Sequence, residues 1–171
     1  MLVRRRVDGD IDACVALAEE VDAVDGYPPR RPGDWRRFIA RPGALGAWVA
    51  VDAGTVAGHV ALHADSSPAV VELVERVTGT TPDQLAVVAR LLVAPEHRRR
   101  GIARALLSTA VEGARTAGRR PVLDVAAHFT GAIALYEHAG WRRVGEVTVR
   151  IGDTDPLREV VYVAPEVDGP L

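Results

Sequence analysis

The feature that most constrains this chain is one continuous stretch in which an apolar strand leads into a basic turn and then a long helix. Residues 85–93 are a nearly unbroken apolar run, interrupted by Arg90, and such a run is typical of a central strand covered on both faces. The run ends at Pro95, and residues 101–117 have the helical spacing of apolar side chains that predicts the strongest helix in the chain. The fold must therefore bury this strand within a sheet and pack the helix against it.

The other elements follow from apolar spacing and from the Gly, Pro and Asp residues at the breaks. The remaining predicted strands are residues 2–7, 47–51, 55–63, 121–126, 142–149 and 158–163. The remaining predicted helices are residues 10–21, 34–40, 64–83 and 131–138, the last with Thr130 as its N-cap. Gly58 is expected to be a bulge or a close backbone approach. A hairpin run of strands that then alternates with helices favours an α/β fold, as an α+β mixed sheet with helices on both faces.

No internal repeat and no linker divides the chain, so we expect one domain over residues 1–165, followed by a loose C-terminal tail over residues 166–171. The helix predicted over residues 64–83 looks like an insertion. Its valines share one face, which should either cap the core or line the contact of a homodimer. These valines are Val70, Val71, Val74 and Val77.

Composition excludes several classes of function. The 171 residues include no Lys and no Asn, so a catalytic lysine is excluded. A net charge of -2 argues against a nucleic-acid partner. The single Cys14 allows neither an internal disulfide nor a cysteine-rich zinc site, and its place on the apolar face of the first helix favours an inert core residue. Without a signal peptide or a membrane-length apolar run, we expect a cytoplasmic protein with no membrane partner.

The turn after residues 85–93 indicates an anion site. A strand, a tight turn and a helix start direct unpaired backbone N–H groups at one point, and the positive end of the helix dipole adds to them. Gly101 and Ala103 leave room for a diphosphate, and four arginines add charged donors. These arginines are Arg98, Arg99, Arg100 and Arg104. The turn lacks the residues of a Walker loop or of a dinucleotide fingerprint; the alternative is a solvated basic turn.

Two segments resemble the motifs of the GNAT N-acetyltransferase superfamily. Val93-Ala-Pro95 followed by Arg98-Arg-Arg-Gly101-Ile-Ala103 resembles its acetyl-CoA-binding motif A, R/Q-x-x-G-x-G/A after a strand ending in V-x-P. Ala132-Ile-Ala-Leu-Tyr136-Glu-His-Ala-Gly140-Trp141 resembles motif B, A-x-x-L-Y-E-x-x-G-F. The family usually has Asn three positions before that Ala, where this chain has Phe129. The resemblance covers about residues 2–164.

The resemblance implies the GNAT acyl-CoA N-acyltransferase fold, with a mostly antiparallel central sheet that splays between its fourth and fifth strands. It implies acetyl-CoA as co-substrate, no metal, and transfer of the acetyl group to a primary amine of a small molecule, peptide or protein by direct attack on the thioester. The alternative is a domain of the same fold that binds CoA as a sensor or partner module without turnover, and Phe129 is the main support for it.

The resemblance also assigns roles to residues. A backbone N–H near Leu92 or Val93 would stabilise the developing oxyanion, and Leu91 and Val93 would pair with the pantetheine arm. Tyr136 would donate a proton to the CoA sulfur; the alternative is a core tyrosine whose hydroxyl is satisfied. The residues expected to contact acetyl-CoA are Leu91, Leu92, Val93, Arg98, Arg99, Arg100, Gly101, Ile102, Ala103, Arg104, Phe129, Ala132 and Tyr136.

Expectations for the acceptor amine are weaker. Asp22 and Asp25, which precede Tyr27 in the loop after the first helix, would attract an ammonium group, although a solvated loop is the favoured interpretation of these residues. His59 could touch substrate, and with His63 it could bind a metal only if further ligands joined them; structural or surface roles are the alternative. The candidate general bases are Glu72, Glu75, Asp83 and His59.

Overall fold

The structure is a computed structural model that describes residues 1–150 and 152–166. Apart from Glu166, the tail expected over residues 166–171 lies outside the described residues. The strands are β1 (Leu2–Arg5), β2 (Gly46–Asp52), β3 (Thr55–His63), β4 (Leu85–Val93), β5 (Arg120–Ala126), β6 (Arg142–Val149) and β7 (Leu157–Val163). The α-helices are α1 (Ile11–Asp25), α2 (Trp35–Ile39), α3 (Pro68–Thr78), α4 (Ile102–Thr116) and α5 (Thr130–His138).

All seven strands form one mixed sheet in the order β1-β2-β3-β4-β5-β7-β6. Every neighbouring pair is antiparallel except β4 and β5, which run parallel. The α/β fold expected from the sequence is confirmed, with helices on both faces of the sheet. No helix within the described residues is long and apolar enough to cross a membrane.

One face of the sheet carries α4. Leu106 and Ala110 of this helix are fully buried in a cluster that also contains Trp48, Tyr136 and Tyr162. The apolar spacing that predicts α4 therefore corresponds to the side that packs on the sheet, which anchors the N-terminus of the helix beside the end of β4.

The opposite face is covered by two groups of helices. α1 and α2 pack over the β2–β4 half, where Cys14 and Leu92 are buried. α3 packs over the β5–β7 half through the fully buried Val70 and Val74, whereas Val77 is 44% exposed. The first of the two expectations for this helix, that it caps the core, is confirmed.

Three local predictions change in detail. α1 extends four residues past the expected end and stops at Gly26, in the left-handed conformation. α3 is shorter than residues 64–83, because the Ser67 hydroxyl caps its first turn and Gly79 ends it. Thr130 is wrong as the N-cap of α5: Phe129 holds that position and Thr130 begins the helix.

Gly58 permits close packing at the end of β3. A Cβ at this position would lie 2.8 Å from Leu106 Cδ1 and 2.9 Å from Ile102 Cγ2. The register with β2 also shifts opposite this glycine, between Ala50 and Val51. The close approach expected at Gly58 is therefore confirmed, whereas the extra residue of the bulge is the neighbouring Ala57, and the start of α4 is brought directly against β3.

The sheet opens in its centre. β4 and β5 pair only from Leu85 to Val87, opposite residues 120–122. Beyond that point β4 carries a bulge, since His59 pairs with Leu92 and Ala61 with Ala89, and Arg90 within the bulge has a φ of 54°. We call the opening between residues 88–93 of β4 and residues 123–126 of β5 the cleft. The splay expected between the fourth and fifth strands is thus confirmed.

Candidate active site

One wall of the cleft is the free backbone edge of β4. The N–H of Ala94 donates to the carbonyl of Ala57 on β3, 2.9 Å away. Because backbone groups alternate in direction along a strand, the polar groups of Leu91 and Val93 point the other way, into the cleft. Leu92 lies between these two residues, so by the same alternation its N–H points toward β3, and its side chain is buried in the cluster beneath α1. Of the two oxyanion donors expected, the N–H of Val93 therefore has the better direction.

The cleft ends at the N-terminus of α4. A short 3₁₀ turn, Pro95–His97, reverses the chain, and Arg99 and Gly101 both have left-handed backbone, with φ of 60° and 79°. The first intrahelical bond is donated by Ala105 to Gly101, so the N–H groups of residues 102–104 have no acceptor within the helix. Gly101 has open space where a side chain would be. The arrangement presents the free main-chain donors on which the predicted anion site depends.

The four arginines of this turn differ in their surroundings. Arg98 binds the carboxylate of Asp25, with Nη1 at 3.1 Å from Oδ1, and its Nε lies 3.4 Å from the carbonyl oxygen of Val93. Arg100 lies 3.6 Å from Asp52. Arg99 and Arg104 are exposed and make no ion pair within the described residues. The side chains of Arg99 and Arg104 are thus the ones free to meet an added anion.

α5 places Tyr136 at the cleft. Its ring lies 6.1 Å from the rings of both Trp141 and Tyr162, and only 8% of the residue is exposed. Within the described chain the hydroxyl of Tyr136 makes no hydrogen bond, and burial raises its pKa above that of a free phenol. The side chain is therefore a core residue with a protonated hydroxyl that remains available as a donor.

Phe129 and Tyr27 form an aromatic boundary of the cleft. Their rings are 5.7 Å apart, and Tyr27 also lies 6.4 Å from Phe38 of α2. Burial raises the pKa of Tyr27 to about 12. Ala132 is partly buried in the first turn of α5. The structure thus brings together Tyr27, Phe129 and Tyr136, which lie in separate parts of the sequence.

Two carboxylates that the sequence analysis did not select belong to the same region. Asp124 lies in the diverging part of β5 and accepts a hydrogen bond from the Ser66 hydroxyl at 2.9 Å. Glu159 of β7 pairs with the next residue on the same face of β5, Ala126, and has no hydrogen-bond partner among the described residues.

The environment of these two groups disfavours their charged forms. Burial raises the pKa of Asp124, although the hydrogen bond from Ser66 opposes the change. Burial, together with the charge of Asp124, raises the pKa of Glu159 to about 7. The charge of Asp124 also acts on Tyr27 and Tyr136. We call Asp124 and Glu159 the acidic pair. The available sequence signal was a single carboxylate within each of two largely apolar strands.

The aspartates predicted to attract the acceptor have other partners. Asp22 lies 3.1 Å from the guanidinium of Arg31, and Asp25 is bound by Arg98. Both carboxylates are therefore balanced by arginines. Tyr27 is the residue of this predicted group that reaches the cleft.

The candidate general bases lie elsewhere. His59 is fully buried; its Nε2 accepts from Arg6 and its Nδ1 donates to the carbonyl of Arg90, both at 3.0 Å, and burial lowers its pKa to about 4. Glu72 and Glu75 lie on the exposed side of α3. Asp83 is exposed and accepts from the Thr81 hydroxyl at 2.6 Å. None of these four candidates therefore lies beside Asp124 and Glu159 on the β5–β7 side of the cleft.

Comparison with known proteins identifies the fold and the family. The model of the acetyltransferase (GNAT) family matches residues 15–141. A search of curated protein sequences gave no significant match. Among solved structures, the ribosomal-protein-alanine N-acetyltransferase from Brucella melitensis is 21% identical, covers 95% of this chain and 98% of its own, and has a TM-score of 0.71.

Two further structures contain acetyl-CoA. The putative acetyltransferase yncA from Salmonella typhimurium is 18% identical, with coverage of 99% and 97% and a TM-score of 0.72. NAA60 from Arabidopsis thaliana is 22% identical, with coverage of 95% and 96% and a TM-score of 0.70. The family match spans both motifs and the cleft between them. This chain belongs to the acetyltransferase (GNAT) family.

Proposed function

We propose that this protein is an N-acetyltransferase that uses acetyl-CoA and transfers its acetyl group to a primary amine of a small molecule or peptide. The observation that carries the proposal is the convergence on one cleft of a free strand edge, a helix N-terminus, a protonated tyrosine and a pair of carboxylates. A module that only binds needs the first two features, whereas the last two are proton-transfer groups.

The β4 wall and the start of α4 fit acetyl-CoA. The backbone groups of Leu91 and Val93 would pair with the amides of pantetheine as an added strand does. The free N–H groups of residues 102–104 would bind the diphosphate, with Arg99 and Arg104 adding charged donors. Acetyl-CoA supplies the activated acetyl group for this chemistry.

The residues at the cleft account for each proton. The acceptor enters as an ammonium ion and loses one proton to the acidic pair, which frees the nitrogen lone pair to form the N–C bond. The N–H of Val93 stabilises the negative charge that develops on the carbonyl oxygen. The C–S bond then breaks, Tyr136 protonates the departing sulfur, and the second nitrogen proton restores Tyr136. The products are an amide, free CoA and one proton released to solvent.

Thiol release from acetyl-CoA in the presence of a panel of amines tests the proposal, with mass spectrometry of the products as a second readout. We expect acetylated product with at least one class of amine, and a rise in melting temperature on addition of CoA, because a ligand that binds only the native state stabilises it. CoA binding without turnover across small amines and peptide N-termini would contradict the proposed activity.

The second candidate is a CoA-binding module without turnover. Phe129 favours it, because an apolar ring replaces the polar side chain common at this position of motif B. The ion pair between Arg98 and Asp25 also favours it, since this arginine is already neutralised. A binding module predicts that CoA and acetyl-CoA raise the melting temperature equally and that removing the hydroxyl of Tyr136 has no chemical consequence.

A further inference from the structure

A second opening lies beside the cleft, beneath α2. It has a volume of roughly 530 Å³. We call it the arginine pocket because three guanidinium groups line it, those of Arg37, Arg41 and Arg90. The remaining lining residues are Pro32, Gly33, Asp34, Phe38 and Pro42.

Arg90 is the unusual member of the arginine pocket. It rises from the bulge in β4, and its guanidinium is held 4.7 Å from the centre of the Phe38 ring while it donates to Nε2 of His63. Its Nε is buried without any hydrogen-bond partner. Among the described residues no carboxylate lies within ion-pair distance of Arg90, and burial lowers its pKa. A partly buried guanidinium without a counter-ion is costly unless an anion joins it.

The other charges around the pocket leave the excess positive. The Oδ1 of Asp34 accepts the helix-capping bond from the backbone N–H of Arg37, 3.0 Å away. Arg41 is paired with Asp65 at 2.7 Å. The side chain of Arg37 has no partner among the described residues. Two guanidinium groups, on Arg37 and Arg90, therefore face the pocket without a carboxylate of their own.

Arg90, Phe38 and Tyr27 link the arginine pocket to the cleft. Arg90 belongs to the part of β4 that has separated from β5. Phe38, which supports its guanidinium, lies 6.4 Å from Tyr27, and the charges of both Arg90 and Asp124 act on the pKa of the Tyr27 hydroxyl. A positive and a negative group are thus both close enough to Tyr27 for their charges to act on it.

We propose that the acceptor is an amino-acid-type zwitterion, with its ammonium group at the acidic pair and a carboxylate in the arginine pocket on Arg90 and Arg37. This proposal rests on the proposed function, because it concerns the acceptor of that same transfer. Opposite charges at the two ends of one small molecule satisfy both groups of unpaired side chains at once, whereas an alkylamine, which carries only the ammonium group, satisfies the acidic pair alone.

The test compares matched acceptors. Straight-chain ω-amino acids from glycine to 6-aminohexanoate, and the α-amino acid norvaline, are each compared with the alkylamine that lacks the carboxylate. We expect the preferred amino acid to exceed its partner amine in kcat/KM by about ten- to a hundred-fold, the range of one charge-assisted contact. The spacing that gives the largest ratio then measures the distance between the two subsites.

Two substitutions test whether Arg90 and Arg37 cause the preference for amino acids over alkylamines. Arg90→Gln and Arg37→Gln should each lower kcat/KM for the preferred amino acid by about ten-fold while changing the partner amine less. Arg90→Gln also removes contacts to Phe38 and His63, so it can disturb folding. Arg37 is exposed, so Arg37→Gln is the substitution less able to do so. Arg36→Gln is the matched control: it removes the neighbouring arginine of α2, whose partner is Asp12, and should leave the ratio unchanged.

The outcomes separate this proposal from the proposed function. Equal or better turnover of the alkylamines that lack a carboxylate overturns the zwitterion acceptor and leaves the acetyltransferase intact. Turnover confined to amines outside the amino-acid series overturns it as well. If no amine is acetylated, the proposed function fails. Calorimetric titration with the same amino acids and alkylamines then tests whether the arginine pocket binds a carboxylate. Amino-acid binding that weakens in Arg37→Gln supports the anion subsite, and equal binding of both series rejects it.

Discussion

The two sides of the cleft are built in different ways. The side proposed for acetyl-CoA is made of main chain: the edge of β4 at Leu91 and Val93, and the N–H groups at the start of α4, all within about one motif of sequence. The side proposed for the acceptor is made of side chains from separate segments, with Tyr27 from the loop after α1, Arg90 from β4, Asp124 from β5 and Glu159 from β7.

This difference predicts how each side responds to substitution. A main-chain cradle has no single side chain whose loss removes it, so it should be sensitive only to changes in backbone conformation. The acceptor side depends on a few buried charges in a setting of low polarity, where each charge acts strongly on its neighbours. We therefore expect the largest effects of single substitutions on the acceptor side.

The largest effect is expected for Asp124→Asn. This change keeps the shape and the contact to Ser66 but removes the charge that, with Glu159, is proposed to accept the proton of the ammonium group. We expect kcat to fall on the order of 10²–10³-fold with little change in the KM for acetyl-CoA, measured by thiol release. Asp83→Asn, at an exposed aspartate bound to a threonine hydroxyl, should retain full activity.

The pH dependence gives a second test of the same substitution. Because the base must be deprotonated, kcat/KM of the native protein should rise with pH through the apparent pKa of the pair, near the value of about 7 for Glu159. In Asp124→Asn the charge that raises the pKa of Glu159 is gone, so the residual activity should reach its plateau at lower pH. An unchanged profile would remove the acidic pair from proton transfer.

A smaller effect is expected for Tyr136→Phe, at the junction of the two sides. Loss of the hydroxyl removes the proton donor to sulfur but not the ring that packs against Trp141, so kcat should fall by roughly 10- to 100-fold at similar acetyl-CoA affinity. Tyr162→Phe is the matched control, since that hydroxyl binds Glu137 at 2.9 Å. It should cost about 1 kcal/mol of stability and leave kcat unchanged. Equal kcat in both variants would refute the role of Tyr136.

The same comparison explains what the sequence could predict. β4 begins and ends where the apolar run does, and α4 differs from its prediction by one residue at each end, because strand, turn and helix are all encoded locally. The main-chain arrangement at the start of α4 was predictable for the same reason, since it needs only a strand end, a left-handed turn and a helix start in succession.

The acidic pair was not predictable, because its two members become neighbours only through the strand order. Asp124 and Glu159 approach each other because β7 inserts between β5 and β6, a long-range pairing that no local pattern specifies. For the same reason the sequence could not reveal that Arg98 would form an ion pair with Asp25, or that His59 would be enclosed between Arg6 and the bulge of β4.

The smallest effect is expected from Gly101→Ala, which tests the main-chain side. At a φ of 79° a Cβ is strained by about 1–2 kcal/mol, and the added methyl group enters the space where a diphosphate would approach the helix. We expect the KM for acetyl-CoA to rise by roughly three- to ten-fold with kcat nearly unchanged, because only binding before the chemical step is weakened.

Gly118→Ala provides the matched control at the other end of the same helix. Gly118 also has a left-handed backbone, with a φ of 68°, and open space around its Cα, so the strain and the loss of melting temperature should equal those of Gly101→Ala. Only the change at Gly101 should alter the KM for acetyl-CoA. If both glycine variants raise it equally, the effect comes from destabilisation of α4, and the start of this helix does not bind the coenzyme through its main chain.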